Sequence, residues 1–370
     1  MHVASGILVM VIAVGLWSAA AQGADDPKAL NAEGTAKFQA GDHAGGIALV
    51  EKAVTLAEGT SGAASDAADA YRFNLGLMRA TDGDIKAAAP LFDMVTAHLA
   101  QRHGDQSLQL ADTYFKIGTV LVTRDPPAAS EALDKAVAAY GAMAEASPPV
   151  KSENYIRALT QSGSALARQG KLENARQALE AAVDKSEHLF GKKASIAGEA
   201  HFALASFLQA TYQYKGAIKE FQEAADAFEP GLPGTLPLFK EASLTLIGLE
   251  APKQAIARAK ALSKLVPDEV VPPVMIKRGK PMYPRSALSS GIQGCAKFVL
   301  TVAKDGTVKD IKITGGQHAD EFGQAAIIAA RKSKYAPALL NGQPVEDEVE
   351  SSMSFALAAA GDNPKFKRCE

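Results

Sequence analysis

The chain has few cysteines and no strong excess of charge of either sign. Only two cysteines occur among its 370 residues, and they are not spaced as Cys-x-x-Cys, which argues against a redox catalyst. The 39 basic and 41 acidic side chains nearly cancel, so neither a nucleic acid nor an anionic surface is implied as a partner. With 47% hydrophobic residues, the composition is that of an ordinary soluble protein with room for two or three domains.

The sequence also lacks the common motifs of catalytic and cofactor sites. No His-Glu-x-x-His, Gly-x-x-x-x-Gly-Lys-Ser/Thr, Gly-x-Ser-x-Gly or Ser-x-x-Lys pattern is present. His98 and His103 are five positions apart, off a common helix face, so a metal site is not expected. The acidic group Glu346-Asp347-Glu348-Glu350 is interpreted as a solvated strand edge. We therefore predict a protein that is not an enzyme and binds no cofactor.

Residues Val3 to Ala21 form one apolar run without acidic or basic side chains. Ala19 and Ala21 match the small-x-small pattern of a signal peptidase site, so residues 1–23 are predicted to be a secretory signal peptide. No lysine or arginine precedes Lys28, and the run is just long enough to span a bilayer, so an uncleaved membrane anchor is the alternative. Either alternative places the rest of the chain on the exported side of the membrane.

Residues 24–266 contain a recurring helical pattern. A small residue is followed by a larger apolar one and then by another small or apolar one, in the triplets Gly46, Val50, Ala53; Ala88, Phe92, Val95; Ala129, Leu133, Ala136; Ala175, Leu179, Ala182; and Ala217, Phe221, Ala224. Upstream glycines stand at matching places (Gly34, Gly76, Gly118, Gly163), and others mark turns (Gly41, Gly83, Gly170). The pattern resembles the tetratricopeptide repeat (TPR) with a lengthened period. A degenerate sixth pair containing Ala255 and Ala259 is expected to cap the array.

Such a helical array presents a concave surface to a peptide or protein. Polar and aromatic residues are the candidates to line it: Tyr71, Arg72, Asn74, Tyr155, Arg157, Tyr212 and Tyr214. The ordinary alternative for each is a helix-surface or inter-repeat role. The proline-containing residues 267–280 are interpreted as a short, stiff linker to a further domain.

The last hundred residues have the periodicity of strands. Apolar residues alternate along residues 296–302, and Asp305-Gly306 supplies a tight hairpin turn. A second strand ends at Gly315-Gly316, and Asp320 is a plausible N-cap for a helix through Phe322. The closing strand alternates between an apolar face (Val349, Ser351, Met353, Phe355, Leu357) and a polar face (Glu348, Glu350, Ser352, Ser354). These elements predict a small ββαβ domain of α+β type.

The order of these features across residues 281–357 resembles the C-terminal domain of the TonB family. The resemblance rests on Pro281-Met282-Tyr283-Pro284, Gly291-Ile292-Gln293-Gly294, the hairpin glycine, Tyr335-Ala336-Pro337 and the closing strand. It implies that Tyr283 and Pro284 contact an outer-membrane transport protein, and that the last strand, with Glu350, Ser352 and Ser354, pairs with a short peptide from it. The expected architecture is multidomain: an all-α TPR-like solenoid, a TonB C-terminal-like domain at 281–360 and a tail at 361–370.

Three functions are compatible with the sequence. The leading hypothesis is a non-enzymatic periplasmic protein that binds envelope or outer-membrane transport partners by strand addition, with the repeats as a second protein-binding surface. The second is a membrane-anchored energy transducer of the TonB type. Against it, the apolar run lacks a basic flank and an internal histidine, the nearest histidine being His2, and no long Pro-, Lys- and Glu-rich spacer is present. The third is a TPR scaffold for envelope assembly or an accessory subunit of a periplasmic enzyme. The expected partners are proteins in all three cases, and no nucleic acid.

The two cysteines generate a first prediction. In an oxidising compartment, Cys295 and Cys369 are a candidate disulfide that would hold the C-terminal tail against the sheet. Closing this loop is expected to stabilise the domain by at most about 4.5 kcal/mol. Peptide mapping without reductant should recover the two cysteines cross-linked, whereas quantitative alkylation of both in the native protein would show two unrelated thiols.

Overall fold

The structure is a computed structural model that describes residues 26–146, 152–228 and 236–357. The chain divides into two compact units, Met1–Ala146 and Ser147–Glu370. The predicted signal segment 1–23, the tail 361–370 and Cys369 lie outside the described residues. Within the described ranges, no helix is long and apolar enough to cross a bilayer.

The first unit consists of antiparallel helix pairs. They are α1 (Pro27–Gln39) with α2 (His43–Ser61), α3 (Asp66–Asp82) with α4 (Ile85–His103), and α5 (Leu108–Leu121) with α6 (Pro126–Ala144). Each of the six helices has an N-cap residue whose side chain accepts a hydrogen bond from a backbone N–H of the first turn. These N-caps are Asp26, Asp42, Ser65, Asp84, Ser107 and Asp125. Because α2 also packs on α3 and α4 on α5, successive pairs stack into an array.

The second unit continues with the same construction. Its helix pairs are α7 (Glu153–Arg168) with α8 (Leu172–Phe190), α9 (Ser195–Ala210) with α10 (Tyr214–Ala227), and α11 (Leu236–Leu249) with α12 (Pro252–Leu265). Contacts of α8 with α9 and of α10 with α11 stack these pairs in turn. The predicted TPR-like helical array is therefore confirmed.

The predicted small residues allow the two helices of a pair to approach closely. A Cβ atom added to Gly76 of α3 would lie 2.6 Å from the ring of Phe92 of α4. One added to Gly163 of α7 would lie 2.7 Å from Cγ of Leu179 of α8. Each glycine on a first helix makes room for the large residue of the triplet on the second, so the recurring pattern serves packing.

The C-terminal domain is built on an antiparallel sheet. β3 (Gly294–Val302), β4 (Val308–Gly315) and β8 (Asp347–Phe355) lie in the order β4-β3-β8. Helix α14 (Ala319–Arg331) covers one face, where it encloses a core of Phe298, Leu300, Phe322, Ala326, Met353 and Phe355. Burial alternates along β3, and the predicted ββαβ unit is confirmed.

Helix α14 starts earlier than the sequence suggests. Its N-cap is His318, in a left-handed conformation with φ 55°, whereas the predicted cap Asp320 lies in the first turn. The backbone N–H groups of Glu321 and Phe322 both donate to the carbonyl oxygen of His318, which begins the helix there. Asp320 lies in the first turn, where its carboxylate interacts favourably with the positive end of the helix dipole.

Residues 267–280 form strands, in contrast to the linker expected from their prolines. β1 (Val270–Val271) pairs with β6 (Ala338–Leu340), and β2 (Val274–Lys277) pairs with β5 (Lys334–Ala336). β6 also pairs with β7 (Gln343–Val345), across a turn in which Asn341 and Gly342 both have positive φ. Val271 and Val274 are buried, and the pairing satisfies backbone groups that their burial removes from water.

The last helix pair and these short strands share one hydrophobic core. Leu262 and Val266, at the end of α12, pack with Val271, Val274 and Leu339. The hydroxyl oxygen of the buried Ser263 also accepts the N–H of Gly342 at 2.8 Å. The strands therefore cover the end of the helical array, a role that the sequence suggests for the sixth helix pair.

An ionic contact recurs at equivalent positions of two repeats. Near the end of α2, Glu58 accepts from Nη2 of Arg72 of α3 at 2.6 Å. Near the end of α8, Oε1 of Glu187 lies 3.2 Å from Nε2 of His201 of α9. His201 is nearly fully buried, and its Nδ1 lies 2.7 Å from Oε2 of Glu220 of α10. One imidazole thus links three helices of the second unit.

The environment of His201 predicts a pH-dependent stability. Burial lowers its pKa, but the hydrogen bonds and charges of Glu220 and Glu187 outweigh burial and raise the pKa above the ordinary 6.5. Its contribution is therefore fully present below pH 6.5 and is lost as the pH rises through the folded-state pKa. The hydrogen bond to His201 lowers the pKa of Glu220, so that carboxylate's contribution is lost as the pH falls through its own folded-state pKa.

We expect His201→Gln to lower the free energy of unfolding by about 1.5–3 kcal/mol near pH 6 and by less near pH 9. Denaturant unfolding of the second unit at both pH values measures the difference. Arg157→Gln is a matched control, because it removes an ion pair with Glu199 in which the arginine stays protonated between pH 6 and pH 9. An equal loss for His201→Gln at the two pH values would contradict the prediction.

Candidate functional site

β8 is an edge strand, since in the described part of the chain only β3 pairs with it. The N–H of Cys295 donates to the carbonyl oxygen of Gln317 at 2.9 Å, and the N–H of Ala303 donates to the carbonyl oxygen of Thr307 at 2.8 Å. Both acceptors lie on the β4 side of β3, so the N–H groups of these odd-numbered residues point toward β4. Backbone groups alternate in direction along a strand, so the even-numbered residues of β3 face β8. In the register of the pair, their partners are the odd-numbered residues of β8.

The even-numbered residues of β8 therefore turn their backbone N–H and C=O groups toward the open edge. They are Glu348, Glu350, Ser352 and Ser354. Their side chains lie on the sheet face away from α14, where both glutamates and Ser354 are exposed and Ser352 is half-buried. The three residues predicted in the last strand as partner contacts thus lie in one row along an edge that offers main-chain hydrogen bonds.

Tyr283 is half-buried and packs against the core of the C-terminal domain. Its hydroxyl donates to the carbonyl oxygen of Ile292 at 2.6 Å, and its ring packs edge-on against Phe322 and Phe355, at centroid distances of 5.6 and 5.9 Å. Burial raises the pKa of the Tyr283 phenol. The geometry gives this residue a supporting role, because it holds the Ile292 segment against the aromatic core.

Pro284 is the N-cap of the short helix α13 (Arg285–Ser289). The large apolar side chains exposed beside it are those of Met282 and Leu288, which are 76% and 53% exposed. Neither residue was predicted as a contact, although a methionine next to a Tyr-Pro pair in a loop was a visible signal. If the Tyr-Pro segment touches a partner, Met282 and Leu288 are the side chains that present apolar surface there.

Cys295 lies on the sheet face opposite Phe298, as the alternation predicts, and is buried. Its sulfur is 3.5 Å from the backbone nitrogen of Gln317. Because Cys369 is not among the described residues, the disulfide stays a prediction. In the described ranges, no group of three or more His, Cys, Asp or Glu side chains is placed to hold a metal ion.

Most of the candidates on the helical array take part in packing. Arg72 is 2% exposed and pairs with Glu58 and Asp69, and Tyr155 is 7% exposed. The others in contact with neighbouring helices are Tyr71, Asn74 and Arg157. For these five residues, the structure favours the ordinary inter-repeat role.

Tyr212 and Tyr214 differ from the other candidates because they are exposed, at 77% and 47%. Their rings lie 6.2 Å apart at 77°. Tyr212 has φ 62° in the turn of its helix pair, where three other pairs have glycine (Gly41, Gly83, Gly170) at φ 94°, 96° and 75°. A side chain in this conformation costs about 1–2 kcal/mol. Strain retained at an exposed aromatic residue is an observation that favours a binding role.

Replacing Tyr212 by the glycine of the other turns should therefore stabilise the second unit. Relief of the left-handed strain exceeds the added chain entropy of glycine, so we expect Tyr212→Gly to raise the free energy of unfolding by about 0.5–1 kcal/mol. Tyr214→Ala is the control, since it removes the neighbouring ring without changing the turn. If Tyr212→Gly instead lowers the free energy of unfolding as much as Tyr214→Ala does, the contact between the two rings, and not backbone strain, determines the stability of this turn.

Comparison with known proteins agrees with the C-terminal geometry. The family model "Gram-negative bacterial TonB protein C-terminal" matches residues 279–357. Protein TonB of Xanthomonas campestris pv. campestris is 31% identical over 77 residues, which are 21% of this chain and 34% of that protein. The chain thus spans about a third of the length of this relative. The match points to a protein of the Gram-negative envelope.

Solved structures that resemble the helical region include nearly identical TPR-like repeats from Podosopora anserina, at 16% identity and a TM-score of 0.46, covering 54% of this chain and 93% of that one. BtubC from P. vanneervenii has 15% identity and a TM-score of 0.45, covering 65% of this chain and 88% of its own. These scores are low, and the repeat assignment rests on the helix pairs described above. Residues 279–357 thus match the TonB C-terminal family, and they follow a TPR-like array of helix pairs.

Proposed function

We propose that this protein is a non-enzymatic interaction protein of the periplasm that captures an extended segment of a partner protein on the outer edge of β8. One observation carries the proposal: Glu348, Glu350, Ser352 and Ser354 turn backbone groups to an edge to which no described strand is paired. A strand added there gains main-chain hydrogen bonds worth about 1 kcal/mol each. A short peptide alone should therefore bind weakly, with specificity drawn from side chains.

The partner in this proposal is an outer-membrane receptor or another envelope protein with an accessible extended segment. The match of residues 279–357 to the TonB C-terminal family supports it. The apolar run before Ala21 supports export, either as a cleaved signal or as an anchor. Tyr283 acts in this proposal through the aromatic core, whereas Pro284 and the exposed Met282 lie at the surface.

A second candidate function gives the main role to the helical array, as a scaffold for envelope assembly. The exposed and strained Tyr212, paired with Tyr214, is the observation that favours it. The two functions are compatible in one chain, since the array and the sheet offer separate surfaces. The anchored energy transducer is the alternative that depends on residues 1–23, and release of the protein by osmotic shock without detergent would exclude it.

Proline substitution on β8 separates docking from folding. Proline has no N–H, and at Ser352 the missing N–H is one that faces the open edge. We expect Ser352→Pro to abolish partner capture from a detergent extract of the envelope, with a smaller loss of stability than Ser351→Pro. The second variant removes an N–H directed at β3 and should lower the free energy of unfolding by about 1–3 kcal/mol.

The comparison of the two proline variants is needed because deletion of the whole domain is not a clean control. Removing residues 270–370 would expose Leu262 and Val266, which the strands cover. Capture is measured by pull-down and mass spectrometry, and stability by denaturant unfolding. Recovery of the same partners by folded Ser352→Pro protein would place the binding surface elsewhere, with the Tyr212 turn as the next surface to vary.

A further inference from the structure

The open edge of β8 carries two negative charges at a regular spacing. Glu348 and Glu350 are both exposed, and both have backbone groups directed at the edge. Because alternate residues of a strand share a face, their carboxylates lie side by side on the face away from α14. On β3 they stand opposite Thr301 and Val299, neither of which is basic.

These two carboxylates have no ion pair among the described residues, in contrast to their acidic neighbour. Glu346, just before the strand, pairs with Lys309 of β4. The basic side chain nearest in register on β3 is Lys297, which stands opposite Ser352. Within the part of the chain that the structure describes, the negative charges of Glu348 and Glu350 on the open edge are therefore not neutralised by an ion pair.

An added strand would bring its own side chains against these carboxylates. Residues directly opposite in neighbouring strands have Cβ atoms about 4.5–5.5 Å apart on the same face. Two residues of the incoming strand, separated by one position, would therefore lie opposite Glu348 and Glu350 whichever way the strand runs. The residue between them would face the side of the sheet to which Val349 contributes, where that side chain packs against the domain core.

We propose that the segment captured on β8 has a basic–apolar–basic pattern, with lysine or arginine opposite Glu348 and Glu350 and an apolar residue beside Val349. The inference rests on the proposed strand addition and adds the chemical class of the partner. Charge complementarity selects a partner segment over a second copy of this chain, since an antiparallel pair of β8 strands centred on this part of the edge would place Glu348 of one copy opposite Glu350 of the other.

The test compares two labelled peptides that differ only in charge. One contains Lys-Val-Lys flanked by Ser and Thr, and the other has Glu-Val-Glu at the same positions. Fluorescence anisotropy with the purified full-length chain in mild detergent, up to millimolar protein, gives both affinities. We expect the lysine peptide to bind at least about tenfold more tightly at low salt, with the ratio falling as salt screens the exposed charges.

The matched variants reverse charge at the edge or elsewhere. Glu348→Lys/Glu350→Lys should invert the preference between the two peptides. Glu223→Lys/Asp226→Lys changes the net charge equally on the exposed face of α10 and should leave the preference unchanged. Ser352→Pro should weaken binding of the lysine peptide, because it removes an N–H at the open edge and leaves both carboxylates in place. Weaker binding would distinguish strand addition from nonspecific electrostatic attraction.

The outcomes are distinguishable. Equal affinities of the two peptides, both lost in Ser352→Pro, would overturn the charge pattern while the proposed strand addition stands. Failure of both peptides to bind would overturn the inference and count against the proposed function. An unchanged preference in the Glu348→Lys/Glu350→Lys variant, or self-association of the wild-type chain that this variant abolishes, would assign the edge to another ligand or to a second copy.

Discussion

The pairing of β3 on both sides is the interaction on which the C-terminal domain depends. β3 receives β4 along one side and β8 along the other, and its alternate apolar residues meet α14. This arrangement pairs the central strand on both sides and leaves β8 with one side to which no described strand is paired. The same row carries Glu348 and Glu350, so the position of the edge and its charge have a single structural origin.

A shared hydrophobic core joins helix α12 to the short strands that follow it in the second unit. Leu262 and Val266 of the helix lie with Val271, Val274 and Leu339 of the strands, and this apolar contact leaves no freely jointed spacer between them. The short strands and the last helix pair therefore form one packed structure, which distinguishes them from a domain on a flexible tether.

Packing and binding use different residues of the helical array. Close approach of paired helices depends on glycines that face a large side chain, as Gly76 faces Phe92. Ionic contacts between successive pairs are made by buried groups such as Arg72 and His201. Once these roles are assigned, Tyr212 stands out because it adds nothing to the core and keeps an unfavourable backbone conformation.

Periodicity in the sequence determined the helix pairs, the hairpin of β3 and β4, the covering helix and the two faces of β8. These features follow from local patterns of period 3.6 or 2 and from turn residues such as Asp305-Gly306, which act over a few positions. The short strands β1, β2, β5, β6 and β7 were missed, although Asn341-Gly342 was a hairpin signal. β6 and β7 form that hairpin, whereas β1 and β2 are held by pairing between segments about 60 to 70 residues apart, from Val270 with Leu340 to Lys277 with Lys334.

Only the tertiary structure decided which candidate residues are accessible. Arg72 and Tyr155 are residue types common in binding sites, yet both are buried and take packing roles. Tyr283 is half-buried, and its hydroxyl and ring contact Ile292 and the aromatic core. The direction of the backbone groups of Ser352 likewise depends on which side of β8 is taken by β3. A sequence pattern assigns a residue to a face of its own element, whereas the element that covers that face is brought there by the fold of the whole unit.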